Sequence, residues 1–357
     1  MKKHRFPYKW TLKDAVFTKD KGKVFSCFSC GGGSTMGYKL TGFDVIGCNE
    51  IDPKMIEAYR TNHNPKYSFL EPIQTFKLRE DLPEELYNLD ILDGSPPCSS
   101  FSMAGNREKD WGKDKKFREG QSEQVLDTLF FDFIDLAEKL QPKVVVAENV
   151  KGLLMGEARA YVREIYKQFD KAGYYCQHFL LDASKMGVPQ RRERVFFICL
   201  RKDLGNQFLN YVDMFTQLPK IELNFNETPV KFKEYKDAKG DKLTVHAQKA
   251  WDSRKSTDRG ISDSKIHAGM KESDFNNSYC FDEEVIGTLT GKGKHSFILY
   301  SEPCYISNQE MASAGTFPQD YNCCNTNIGY LTGMSVPPVM VAQIATEIYT
   351  QWLKNIK

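Results

Sequence analysis

The stretch Val24–Gly37, VFSCFSCGGGSTMG, indicates the fold, because an apolar strand leads through three glycines into a helical pattern. A glycine turn lets the backbone pass close to a ligand, and the N–H groups of the following helix point toward it. The next apolar strand, Asp44–Asp52, carries Glu50 at its end, where doubly wound folds bind ribose hydroxyls. A glycine-rich turn alone is often only a tight corner, but the two stretches together predict a site for a cofactor that contains a nucleoside.

Strand and helix patterns alternate between Val24 and Leu200, which predicts an α/β fold with a doubly wound, mostly parallel sheet. The predicted helices cover residues 53–61, 122–140 and 158–172, and the second has a buried apolar stripe. After Arg201 the alternation gives way to polar sequence with scattered aromatic residues. Helical spacing returns in the last part of the chain, from 341 to 352.

A second motif, GSPPCSSFS at Gly94–Ser102, follows a short apolar strand. The two prolines fix their own φ and restrict the residue before each of them, so Cys98 is expected on a stiff platform. Chemistry in open α/β sheets takes place at the carboxyl ends of the strands. Taken alone, Cys98 is better explained as a buried structural thiol, because the chain has ten cysteines and most cysteines only pack.

Three more motifs lie at predicted strand or helix ends. PKVVVAENV at Pro142–Val150 ends in Glu-Asn, QRRER at Gln190–Arg194 precedes a strand, and GMSVPP at Gly333–Pro338 precedes a helix. Each has a simpler interpretation: a solvated acid, a basic surface patch and a proline at a helix start. Their order along the chain favours one shared site.

In this order the motifs resemble those of the DNA (cytosine-5)-methyltransferase family, of the bacterial or phage restriction-modification type. The resemblance covers nearly the whole chain except about 201–299, where the family places its variable target-reading segment. It implies a Rossmann-like, S-adenosylmethionine-dependent methyltransferase domain at residues 1–200. A smaller, irregular target-recognition domain would follow at 201–304, and residues 305–357 would return to the first domain.

The resemblance also implies the chemistry. Cys98 would add to C6 of a cytosine that is flipped out of the duplex, which makes C5 nucleophilic. Glu148 would donate a proton at N3, and Arg192 and Arg194 would stabilise charge at O2. Water would then remove the C5 proton.

S-adenosylmethionine is the methyl donor that the resemblance implies. The glycine turn would lie against the donor, Glu50 would bind the ribose and Ile51 and Ile73 would enclose the adenine. The full expected set is Phe28, Ser29, Gly31, Gly32, Gly33, Glu50, Ile51, Ile73, Pro97, Leu129, Ser335 and Val336. Cys30, Pro72 and Met334 depart from the family pattern, which has glycine, aspartate and asparagine there; Glu71 could substitute at the adenine.

Two polar segments have two interpretations each. Residues 99–123 are an ordinary surface loop or a lid over the flipped base, with Trp111 as a DNA contact. Residues 231–271 carry eleven basic and six acidic side chains, which fits a solvated basic face or a DNA-reading surface equally well. For residues 231–271, the family resemblance favours the DNA-reading surface. The interleaved rings are those of Tyr235, His246, Trp251 and His267.

Composition limits the remaining possibilities. The net charge of +2 on 357 residues indicates no global affinity for nucleic acid, and no apolar run approaches the roughly 18 residues of a membrane span. The cysteine spacing predicts no metal site, and the basic start, Met1–Arg5, is not a signal peptide because no apolar stretch follows it. These features predict a cytoplasmic protein. The family resemblance implies a monomer that binds double-stranded DNA, with a cognate restriction endonuclease as a further partner. The alternatives are a tRNA cytosine-5 methyltransferase and a non-catalytic DNA-binding module.

Overall fold

The structure is a computed structural model that describes residues 4–97, 128–156, 158–211, 216–271 and 277–356, and the backbone of 114–115 and 124–125. Cys98, Trp111 and the rest of the expected lid lie outside the described residues. The chain forms two compact units. The larger unit contains residues 16–181, 193–224 and 341–357, and the smaller unit contains residues 1–15, 182–192 and 225–340.

The larger unit is an α/β structure around a seven-stranded sheet with strand order β3-β2-β1-β4-β7-β9-β8. The strands of this unit are β1 (Lys23–Cys27), β2 (Asp44–Glu50), β3 (Tyr67–Leu70), β4 (Ile91–Gly94), β5 (Asp114–Lys115), β6 (Gln124–Val125), β7 (Val144–Val150), β8 (Tyr174–Asp182), β9 (Glu193–Arg201), β10 (Leu209–Tyr211) and β11 (Gln217–Pro219). Four of them, β5 with β6 and β10 with β11, form two separate pairs outside the seven-stranded sheet. The helices of this unit are α1 (Gly33–Leu40), α2 (Pro53–His63), α3 (Ile73–Phe76), α4 (Leu129–Leu140), α5 (Ala158–Lys171) and α6 (Lys202–Gly205).

The sheet is mostly parallel, as predicted. Strands β3, β2, β1, β4 and β7 pair in parallel, so their carboxyl ends lie at one edge of the sheet. Strand β9 is antiparallel to β7, with Val144 opposite Leu200 and Val150 opposite Arg194. The beginning of β9 therefore lies at the same edge as the ends of β4 and β7.

Two of the predicted helices are confirmed almost to the residue, as α2 and α5. The prediction of a helix at 122–140 is wrong at its start. Helix α4 begins at Leu129, and Gln124–Val125 pair instead with Asp114–Lys115 as short antiparallel strands. The apolar stripe of α4 packs into the core under the sheet. Gly94, at the end of β4, allows this approach, because a Cβ there would lie 2.5 Å from Cε2 of Phe133.

The smaller unit has more regular structure than its sequence indicates. Its elements are α7 (Val245–Asp252), α8 (Ile261–His267), β12 (Ser278–Cys280), β13 (Phe297–Leu299), α9 (Asn308–Ala314) and α10 (Ile328–Met334). Strands β12 and β13 pair in parallel beside a small core of Ala250, Ile261, Tyr279, Ile298 and Tyr305.

Helix α11 (Pro338–Gln351), most of which belongs to the larger unit, matches the predicted C-terminal helix. The functional division at residues 200 and 304 stays a prediction, because compactness does not define what a domain binds.

One segment, Ile328–Asn355, is long and apolar enough to span a membrane by length and composition. This differs from the prediction that no apolar run approaches a membrane span. Of its most apolar window, 89% is buried inside the protein. Core helices have the same character.

Candidate active site

The glycine turn lies at the carboxyl end of β1 and leads into α1. Phe28 and Cys30 have positive φ angles of 52° and 47°, and Gly32 has a φ of 80°. Cys30 therefore occupies the left-handed region that favours glycine, which is the residue that the family has at this position. Gly32 is needed for a second reason: a Cβ there would lie 2.3 Å from Nε2 of the buried His63. His63 thus lies directly behind the turn.

The carboxylate of Glu50 fixes the turn from the end of β2. Its Oε2 accepts from the backbone N–H of Cys30 at 2.7 Å, and its Oε1 accepts from those of Ile51 and Asp52 at 2.8 and 2.9 Å. Burial raises the pKa of Glu50, while these three N–H groups act in the opposite direction. A carboxylate has about four acceptor positions, so the geometry leaves capacity for a ribose hydroxyl.

The expected adenine side is less open to hydrogen bonding. Pro72 caps the short helix α3 and has no side-chain acceptor. The Glu71 carboxylate, suggested as a substitute, accepts from Nη1 of Arg79 at 2.9 Å and from Oγ1 of Thr75 at 3.1 Å. Glu71 is thus engaged within its own segment. Ile73 is buried in the core.

The segment Gly94–Pro97, which we call the Pro-Pro segment, follows β4 and immediately precedes Cys98 in the chain. Asn149, from the end of β7, donates through Nδ2 to the carbonyl of Pro96 at 3.2 Å. Its Oδ1 accepts from the N–H of Val150 at 2.8 Å, so the amide is fixed at both ends. Asn149 is only 3% exposed, and a buried hydrogen bond of this kind holds its segment in place.

Glu148 and Arg194 meet across the antiparallel strands β7 and β9. Nε of Arg194 lies 2.9 Å from Oε1 of Glu148, and both side chains are largely buried. The register explains the contact: Arg194 is opposite Val150, and Glu148 lies two residues away on the same face.

Arg192, Ser335 and Val336 belong to the smaller unit, and all three are buried there. The guanidinium of Arg192 donates to the carbonyls of Leu289, Gly333 and Ser335 at 3.0, 3.2 and 3.1 Å. These bonds join three separate segments of the chain. Met334, the third departure from the family pattern, is the last residue of α10.

A further group at this edge was missed by the sequence reasoning. Asp93, in β4, is 4% exposed and accepts from Oγ of Ser26 at 2.8 Å and from the hydroxyl of Tyr38 at 3.2 Å. Burial raises the pKa of Asp93 to about 7, and the nearby Glu148 adds to the rise. The sequence feature that could have identified Asp93 is its position as an acid within an otherwise apolar strand.

The larger unit thus brings together most of the expected site at the carboxyl edge of its sheet. Phe28 packs edge-on against Phe133 at a centroid distance of 6.3 Å, and Leu129 starts the helix that carries Phe133. The expected residues in this unit are Phe28, Ser29, Gly31, Gly32, Gly33, Glu50, Ile51, Ile73, Pro97, Leu129, Glu148 and Arg194. Within the described part of the chain no group of three or more His, Cys, Asp or Glu residues could hold a metal ion.

Comparison with known proteins identifies the family. The sequence profile of the C-5 cytosine-specific DNA methylases matches residues 22–350, which include nearly all of the motifs above. The chain belongs to the C-5 cytosine-specific DNA methylase family. Membership in this methylase family accounts for the parallel sheet, the glycine turn and the Pro-Pro segment together.

Among curated members of the methylase family, the chain is 37% identical over 183 residues to the type II methyltransferase M.FnuDI of Fusobacterium nucleatum. It is 38% identical over 187 residues to M.NgoPII of Neisseria gonorrhoeae. The matches cover 51% and 52% of this chain, and 48% and 50% of those relatives. The chain therefore spans about half the length of the curated relatives that it matches.

Solved structures give the same fold. A prophage-encoded DNA modification methyltransferase of E. coli matches with a TM-score of 0.64 at 20% identity, over 92% of this chain and 99% of that one. A DNMT2 variant from Spodoptera frugiperda matches with a TM-score of 0.62 at 18% identity, with the same coverage. At this level of identity the likeness concerns the fold alone.

Proposed function

We propose that this protein is a DNA (cytosine-5-)-methyltransferase that transfers a methyl group from S-adenosylmethionine to C5 of a flipped-out cytosine in a specific duplex sequence. One observation carries the proposal: Asn149 binds the carbonyl of Pro96, next to Glu148 in the same strand. The segment that leads into Cys98 and the carboxyl group expected at N3 are thereby tied to one strand end. The rest of the mechanism follows from family membership.

The residues present fit the methyl donor. Gly32 has a left-handed φ and no Cβ, so the backbone of the turn can lie close to a bound donor. Glu50 retains acceptor capacity for a ribose hydroxyl. Pro72 and the engaged Glu71 argue that the adenine amino group is held by backbone or water instead. When bound, S-adenosylmethionine supplies an electrophilic methyl group on its sulfonium sulfur.

The proposed reaction begins when the Cys98 thiolate adds to C6, so a C–S bond forms and electron density moves toward N3. Glu148 donates a proton at N3, with its carboxyl held by Arg194 through Oε1. C5 then accepts the methyl group. Water takes the C5 proton, the C6–S bond breaks to return the thiolate to Cys98, and N3 gives its proton back to the Glu148 carboxylate.

Arg194 and Arg192 take different roles in this proposal. Arg194 contacts Glu148 directly and can reach the O2 side of the base, as the resemblance implies. The terminal nitrogens of Arg192 already donate to three backbone carbonyls, so we assign it the positioning of residues 289, 333 and 335. Ser335 and Val336 are expected at the donor through this anchored segment.

Seven of the eleven basic residues in 231–271 fall into two groups with different surroundings. The first group is neutralised within the smaller unit: Lys231 and Lys233 pair with Glu283, at 2.9 and 2.6 Å, and Arg259 pairs with Glu284 at 2.6 Å. Lys236 pairs likewise with Asp282. This group fits the solvated-face interpretation better than DNA binding.

The second group has no acidic partner within the described residues. Lys239, Lys242 and Lys249 are exposed, and the last two line an open surface depression together with Gln248 and one acid, Asp252. We assign phosphate binding to these three lysines. Of the rings named earlier, Tyr235 is buried, Trp251 donates to the carbonyl of Leu299 and His267 pairs with Asp258. His246 is exposed and is the ring available for DNA.

The proposed partners follow from this activity. The DNA substrate is double-stranded, the protein acts as a monomer in the cytoplasm of a bacterial or phage-infected cell, and a cognate endonuclease cuts the unmethylated site. The restriction-modification character of the relatives supports the last point, since M.FnuDI and M.NgoPII are named as type II methyltransferases.

Transfer of label from S-adenosylmethionine tests the proposal. Duplex DNA should accept the methyl group and tRNA should not, and bisulfite sequencing should find 5-methylcytosine at one recognition sequence. Cys98→Ser should abolish transfer and retain binding of the donor product, S-adenosylhomocysteine, whereas Cys323→Ser serves as the matched control. A 5-fluorocytosine duplex should form a stable covalent adduct with the wild type. Transfer to tRNA alone would replace DNA by RNA as the substrate, and donor binding without any transfer would favour a binding module.

A further inference from the structure

Asp93 is a buried acid to which the proposed reaction gives no role. It lies in β4, one residue before the Pro-Pro segment and five before Cys98 in the chain. Its Oδ2 accepts from Oγ of Ser26, and its Oδ1 accepts from the hydroxyl of Tyr38. All three side chains are almost fully buried, so water does not compete for these hydrogen bonds.

The two donors lie on either side of the glycine turn. Ser26 is in β1, just before Phe28, and Tyr38 is in α1, the helix that begins at Gly33. The carboxylate of Asp93 therefore binds the chain that enters the turn and the chain that leaves it. Both are connected through β4 to the Pro-Pro segment.

We propose that Asp93 is a positioning residue that couples the methyl-donor turn to the segment carrying the nucleophile, and that the coupling is complete only when Asp93 is ionised. An ionised carboxylate accepts both hydroxyl hydrogens in charge-assisted bonds. A protonated carboxyl keeps both contacts only by donating its own O–H to one of the two hydroxyl oxygens, and neither bond is then charge-assisted, so the turn is held less firmly.

The groups that face Asp93 do not titrate in the same way. Cys27 in β1 and Tyr38 in α1 have pKa values raised well above their usual range by burial, so both stay neutral near pH 7. Glu148, in the neighbouring β7, is a charged group close enough to raise the pKa of Asp93, and it pairs with Arg194. Asp93 itself, with a pKa of about 7, changes its charge in the physiological range.

The inference rests on the proposed function, because its test uses S-adenosylhomocysteine as the ligand. Calorimetric titration at pH 6, 7 and 8 compares the wild type with Asp93→Asn, so that ionisation of the ligand cancels. Wild-type affinity should fall roughly three- to tenfold from pH 8 to pH 6. Asp93→Asn should show a flat profile at the weaker level and should at the same time unfold at a higher temperature at pH 8, because it removes a buried charge.

Higher stability with weaker binding is the signature that a purely structural residue would not produce. Tyr38→Phe should weaken binding at pH 8, whereas Tyr174→Phe, which removes a buried tyrosine hydroxyl bonded to Pro142, should lower stability without changing the pH profile. Coincident pH profiles for the wild type and Asp93→Asn would overturn the inference alone. A wild type that binds no S-adenosylhomocysteine at any pH would overturn the proposed function, and the inference with it.

Discussion

Nε of Arg194 lies 2.9 Å from Oε1 of Glu148, and the two residues come from neighbouring antiparallel strands. The pair is a charge-assisted contact at the edge of the sheet where the Pro-Pro segment begins. It fixes Oε1 of the carboxyl group that the proposed reaction uses at N3.

Removal of the arginine should therefore reduce catalysis. Arg194→Ala should lower kcat/KM for methyl transfer roughly 10- to 100-fold, because a hydrogen bond to a charged group is lost. Binding of S-adenosylhomocysteine should be unchanged. Lys151→Ala is the matched control, since Lys151, the residue after β7, forms an exposed 2.8 Å pair with Glu193 of β9 and should have little effect. Equal losses in both variants would contradict the assigned role.

The amide of Asn149 gives a second test. Asn149→Ala removes the bond to the Pro96 carbonyl, so the segment before Cys98 should lose its fixed position. We expect kcat to fall about tenfold or more, with stability lowered by about 1–3 kcal/mol because a buried carbonyl loses its partner. Single-turnover kinetics with excess enzyme would measure the chemical step. An unchanged rate of adduct formation on 5-fluorocytosine DNA would contradict this prediction.

Cys30 should be a site of stored strain. Cys30→Gly places glycine at a φ of 47° and should stabilise the protein by about 1 kcal/mol, which thermal unfolding would detect as a small rise in Tm. Cys30→Ala, which removes the thiol but keeps a Cβ at the same φ, is the control and should give no such gain. Donor binding should persist in both variants. Equal stability changes would assign the effect to the thiol.

The stability of Asp93→Asn should depend on pH. The pKa of Asp93 is raised from 3.8 to about 7 in the folded protein, so its contribution to stability is complete below pH about 4 and is lost as the pH rises to 7. Asparagine avoids that loss, and the variant should exceed the wild type at pH 8 by on the order of 4 kcal/mol at most. The difference should shrink steadily toward pH 5 in thermal melts. Asp170→Asn, at an exposed position, should show no trend.

The two groups of lysines should behave differently on DNA. Lys242→Ala combined with Lys249→Ala should weaken binding to all sequences alike and reduce the salt dependence by about two phosphate contacts. Lys231→Ala combined with Lys233→Ala should change neither, because both cations already pair with Glu283. Fluorescence anisotropy over a range of salt concentrations measures both quantities. A larger effect from the second pair would reverse the assignment.

Much of the fold could be predicted from the sequence, because strand ends, glycine turns and helix periods are local signals. Helices α2 and α5 follow from apolar spacing alone. The start of α4 could not be predicted in this way, since Gln124–Val125 take their partner from residues ten positions earlier. Pairing between distant residues overrides helical periodicity where the two compete.

The candidate site was predictable as a set of residues but not as a set of contacts. Glu50 and Glu148 could be named from their positions after apolar strands. That Glu71 is engaged by Arg79, or that Asp93 binds Ser26 and Tyr38, depends on packing between segments that the sequence does not order in space. The same holds for the basic segment, because part of its excess charge is compensated by the acids at 282–284, outside the segment.

The antiparallel ladder between β7 and β9 has a consequence for evolution. Side chains alternate between the two faces of a strand, so inserting or deleting one residue within the paired stretch Arg194–Leu200 would turn the guanidinium of Arg194 to the opposite face from Glu148. Most point substitutions in this stretch leave the alternation intact. Among descendants of this protein, the length of the stretch should therefore vary less than its composition.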